Sequence, residues 1–158
     1  MDFTVIKFLH VMSAVLLLGT GLGLAFFLFR AQQSKDSQTI LFALNNTLIG
    51  DIVFVGPALF VLFGSGHWML RNGAHSVREP WMIASLALIM LVGLCWVLAV
   101  FLEWRMRNGL RASAQQGAAV LPPKHGLYHR LWVSLGLIAF PTAVVILVLM
   151  VIKPAFTG

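Results

Sequence analysis

His10 is the residue whose type and setting first suggest chemistry. It lies in an apolar run, where an ionisable side chain is costly and tends to face the interior of a helix bundle. At about 100° per residue, Ser13, Ala14, Leu17 and Gly21 fall on the same helix face. A histidine followed by small residues on one face suits a haem, with the imidazole on the iron and the ring against the small side chains. The same imidazole can also serve as a neutral hydrogen-bonding group.

Four further histidines are candidates for a second ligand. His67 closes the second apolar run and His75 follows it, both at the end of the molecule where the first helix starts. His125 and His129 precede the fourth run, His125 in the loop and His129 at the opposite interface. An iron on His10 therefore has His67 as its partner, since neutral imidazoles on two facing helices can supply both axial positions. His10 and His67 are thus the expected metal and cofactor ligands, and haem b the expected cofactor. Asp51 and Glu103 are the other costly residues, near the ends of their runs. Arg105, Arg107 and Arg130 are close enough in sequence to neutralise them, which predicts ion pairs at helix ends or a polar site for a proton or a haem propionate. The chain lacks a serine–histidine–aspartate set, a phosphate loop and zinc spacing.

Elements that position these residues follow from hydropathy. The chain is 59% hydrophobic and 10% charged over 158 residues, with a mean hydropathy of +0.92. A core this small cannot hide that much apolar surface, so lipid is the implied solvent. Apolar runs cover residues 4–29, 48–70, 81–102 and 131–152. Each has roughly 22 to 26 residues, enough to cross an apolar layer of about 30 Å. The fold class expected is all-α, an integral membrane four-helix bundle forming one domain over 1–158. Of the polar connections, 30–46 can extend the second helix at its later part, 71–80 ends in a helix-starting proline, and 105–130 is the one long loop.

The net charge of +6 comes from basic residues scattered in the connections, without the aromatic-interleaved patch of a nucleic-acid binder. Seven of the eleven lie on the side of the first and third connections and four on the side of the termini. The positive-inside rule then puts both termini outside the cytoplasm of a bacterial inner membrane. Trp68, Trp81, Trp104 and Trp132 sit near run ends as interfacial indoles, while Trp96 lies deeper and packs between helices. Gly19, Gly21, Gly23, Gly56, Gly93 and Gly136 predict close helix approach or room for a flat cofactor. Cys95, the single cysteine, reads as a packing residue.

Taken together, Lys7-Phe8-Leu9-His10-Val11, Gly19-Thr20-Gly21, Asp51, Gly56-Pro57-Ala58, Cys95-Trp96, Arg105-Met106-Arg107 and Lys153-Pro154 resemble the bacterial predicted integral membrane protein family numbered 2269 among domains of unknown function. The resemblance covers nearly the whole chain and implies no activity. More distantly, Lys7-Phe8-Leu9-His10 is similar to the early Lys-x-x-His helix of HemJ-type protoporphyrinogen oxidases and of copper-resistance D proteins, which implies that His10 occupies a haem-ligand position.

The function expected is electron transfer by a b-type haem membrane protein, with a quinone or another redox protein as partner. Two alternatives stand beside it. One is a non-redox transport or assembly subunit that forms a homo-oligomer or docks on a larger membrane complex. The other is a porphyrin-oxidising enzyme.

Overall fold

The computed structural model describes residues 2–73, 78–116 and 121–154. Among them the secondary structure is helical throughout: α1 (Phe3–Gln33), α2 (Ser37–Gly50), a π-helical turn (Asp51–Val55), α3 (Gly56–Asn72), α4 (Pro80–Gln115) and α5 (His125–Ile152). The α2, π and α3 segments run on as one rod, Ser37–Asn72, so four helices are long and apolar enough to cross a membrane.

All four exceed the apolar runs that announce them, α1 by the least. α2 starts eleven residues before the apolar stretch 48–70 because Asp36 caps it. Its carboxylate accepts from the Thr39 amide at 2.8 Å and from the Thr39 hydroxyl and the Gln38 amide. These bonds, the Thr39 hydroxyl foremost, hold the Asp36 carboxyl below the usual carboxylate range. α4 continues past residue 102 to Gln115, and α5 begins at His125 rather than at 131. Helix propensity and packing continue where hydropathy ends, so the polar ends protrude as helix from the apolar layer.

The π turn has a local cause. Pro57 has no amide proton, and its ring would crowd the carbonyl four residues back, which breaks the regular ladder just below it. The chain widens there, and the Gly56 amide reaches back to the Asp51 carbonyl.

Packing divides the helices into two pairs. α1 lies along α3, and α4 along α5. The pairs join mainly where α2 packs on α1 and α4, while α1 touches α5 only lightly. The best-packed cluster, Leu28, Ile40, Leu44, Leu102, Met106, Leu110 and Trp132, lies at the end that bears the α1–α2 and α4–α5 connections. Most apolar side chains elsewhere are exposed, as expected of surfaces solvated by lipid.

Candidate functional site

Two polar centres lie within the apolar bundle. The first is His10 on α1. Its Nδ1 sits 3.1 Å from the Leu62 carbonyl and 3.0 Å from Ser65 Oγ, both on α3. Ser65 directs its own proton to the Val61 carbonyl. A carbonyl can only accept, so the network assigns the His10 proton to Nδ1 and leaves Nε2 with a free lone pair. Gly66 makes this contact possible: a Cβ there would stand 3.2 Å from His10 Cε1. Ser13, one turn on, bonds back to the Leu9 carbonyl at 2.8 Å and stays within its own helix.

His67 follows Gly66 directly, yet its side chain is exposed and has no hydrogen-bond partner among the described residues. The structure therefore brings His10 to the backbone of α3 and leaves His67 on a neighbouring face. His75 lies outside the described residues. Among the described residues there is no cluster of three or more histidine, cysteine or acidic side chains.

The second centre joins α4 and α5 to the π turn. Asp51 and Glu103 are both buried, at 7% and 3% exposure, and their carboxyls lie against each other. Trp96 Nε1 donates to Asp51 Oδ1 at 3.1 Å, and Trp132 Nε1 donates to Glu103 Oε1 at 2.7 Å. The expected ion pairs with arginine do not form here. Arg105 instead lies over the Phe101 and Tyr128 rings and donates to the Tyr128 hydroxyl, Arg107 turns to Asn108, and Arg111 to Asn45. Guanidinium groups stay with water and aromatic faces at the interface, while indoles, which bring a donor on an apolar body, satisfy the buried acids. Trp132 is thus a buried donor rather than an interfacial anchor. Beyond the facing Asp51 carboxyl, Glu103 Oε2 has no hydrogen-bond partner among the described residues.

Asp51, Glu103, Trp96 and Trp132 line a partly open cavity of about 480 Å³ between the two helix pairs. Its other walls are almost wholly apolar. Gly21, Gly93 and Gly136, from α1, α4 and α5, all line it, and a Cβ at any of the three would meet nothing within 4 Å. These glycines leave space between helices instead of drawing them together. Close approach occurs at Gly50, where a Cβ would lie 2.7 Å from a Leu24 methyl. Sequence reading found both acids, as ion pairs at helix ends or as a polar site, but not their indole partners, which are 45 and 29 residues away in the chain.

Below this centre α5 carries two histidines on the Trp132 side. His125, buried as the first residue of the helix and not in a loop, has Nε2 2.8 Å from Gln32 Oε1. The His129 ring packs near Phe29 and stacks on Trp132 at a centroid distance of 6.1 Å. His10 stands seven residues before Leu17, the first cavity residue of α1, or about 10 Å along the helix. The histidine and carboxyl centres are therefore separate.

The profile of the DUF2269 predicted integral membrane proteins matches residues 4–154, nearly the whole chain. The chain belongs to that family. Membership establishes a membrane protein and agrees with the four long apolar helices. No curated protein and no solved structure matches the chain.

Proposed function

We propose that this DUF2269 member is a b-type haem membrane protein that passes electrons between a quinone or other membrane-bound donor and a partner protein, with His10 as the residue that would hold the haem. The observation that supports the reading is the Nδ1 contact with the Leu62 carbonyl. Histidines that bind metal usually donate their other ring proton to a carbonyl or carboxylate, which fixes the tautomer and aims the free nitrogen. His10 has that arrangement, and Ser65 and Gly66 of α3 hold its ring in place. His67, one residue beyond Gly66, is the candidate for a second residue that would hold it. Haem, when bound, would supply one-electron chemistry. The protein's own residues would hold the imidazole, keep it neutral and surround it with an apolar wall. In a bacterial cytoplasmic membrane, its basic-residue asymmetry would put both termini on the extracytoplasmic side.

The test is the absorption spectrum of protein purified from haem-replete cells. A Soret band is expected in the wild type, lost or strongly shifted in His10→Ala and retained in His129→Ala. Cys95, buried and alone, reports folding through its resistance to thiol reagents. A folded wild-type protein without a Soret band overturns the reading, as does a band that survives His10→Ala.

A further inference from the structure

We infer that the groove between α4 and the start of α5 holds the phosphate of an anionic membrane phospholipid, with Arg105 and Lys124 as its cationic partners. This inference is independent of haem. The groove has a volume of about 460 Å³ and is lined by Trp104, Arg105 and Asn108 of α4 and by Lys124 and Tyr128 where α5 begins. Gly109 shapes its floor: a Cβ there would stand 3.3 Å from Pro122 Cγ, so the missing side chain lets the proline wall close on α4.

Charge selects an anion. Arg105 donates to the Tyr128 hydroxyl at 3.5 Å, and Lys124 is near enough for its charge to act on the same oxygen. The five acidic residues of the chain are all placed elsewhere. Asp36 caps α2, Asp51 and Glu103 face each other inside the bundle, and Asp2 and Glu79 precede α1 and α4 at the opposite end. An anion entering the groove therefore meets two cations and no exposed carboxylate.

Depth selects a lipid. Arg105 stands one turn beyond Phe101, an exposed side chain of the apolar run, and its guanidinium lies over that ring at 5.7 Å. Trp104 beside it is exposed as well, where an indole prefers the membrane–water boundary. Lipid phosphates lie at that level, and a phosphodiester offers two oxygens, one for the planar guanidinium and one for the ammonium. The rest of the lining is mostly apolar, the Trp104 ring and the two prolines foremost. Such walls suit the glycerol and first acyl carbons of a lipid better than the water shell of a soluble phosphate.

The experiment titrates the purified protein with dioleoylphosphatidylglycerol and with dioleoylphosphatidylcholine, which has the same acyl chains on a zwitterionic head, and follows the first bound lipid by native mass spectrometry. A preference for phosphatidylglycerol of about tenfold or more is expected, falling to about twofold or less in the double variant Arg105→Gln with Lys124→Gln. Lys35→Gln with Arg130→Gln removes the same charge at residues that do not line the groove and should keep the preference, as should His10→Ala. Millimolar inorganic phosphate should leave the lipid bound. The inference is overturned if the two lipids bind equally, if the groove variant keeps the preference, or if the control pair loses it to the same extent. Complete displacement by inorganic phosphate also overturns it, since the site would then take a soluble anion. Should the double variant fail to fold, an unchanged preference in Lys124→Gln alone, at an exposed side chain, overturns it by itself.

Discussion

Trp132 donates its indole N–H to Glu103 Oε1 at 2.7 Å, joining α5 to α4 through two buried side chains. Trp132→Phe keeps most of the ring's packing and removes the donor, leaving the buried Glu103 Oε1 unsatisfied. A loss of about 1 to 3 kcal/mol is expected. Trp104→Phe, at an indole that is 45% exposed, should change stability by less than about 0.5 kcal/mol. Thermal unfolding in detergent, followed by labelling of Cys95 as it becomes accessible, measures both. Equal effects at the two sites would mean that the Trp132 bond carries no special weight.

Gly50 and Gly19 should respond oppositely to alanine. At Gly50 the new Cβ would stand 2.7 and 2.9 Å from the two Leu24 methyls. Leu24 also lines the cavity, so its methyls can turn toward that space, at an expected loss of about 1 kcal/mol for the displaced rotamer. At Gly19 nothing lies within 4 Å. There the alanine should be neutral or stabilising by up to about 1 kcal/mol, the helix-propensity difference. The same Cys95 assay ranks the two, and destabilisation at Gly19 would show that its face is covered by a neighbour.

Orientation has its own test. A reporter fused at the C-terminus should behave as extracytoplasmic, and one inserted beside Gln116, at the end of α4, as cytoplasmic. The seven-to-four distribution of basic residues motivates both. The reverse pattern would turn the bundle over in the membrane without altering the position of His10 relative to α3.

Sequence by itself determined that this is a membrane protein of four helices, because runs of 22 or more apolar residues permit few other solutions in lipid. It also marked His10, Asp51 and Glu103, since ionisable groups at that depth are conspicuous by their cost. Helix ends were less legible: Asp36 starts α2 well before the apolar stretch, and α4 outlasts its own, because capping and propensity carry no hydropathy signal. Tertiary structure alone decided the partners. Hydropathy records how deep a residue lies but not which way it faces, and the rotation of each helix depends on packing. Packing turned His10 onto the Leu62 carbonyl rather than onto His67, and gave Glu103 the indole of Trp132 in place of an arginine. It also set Gly21, Gly93 and Gly136 around an open space that, along the chain, reads equally well as close contact.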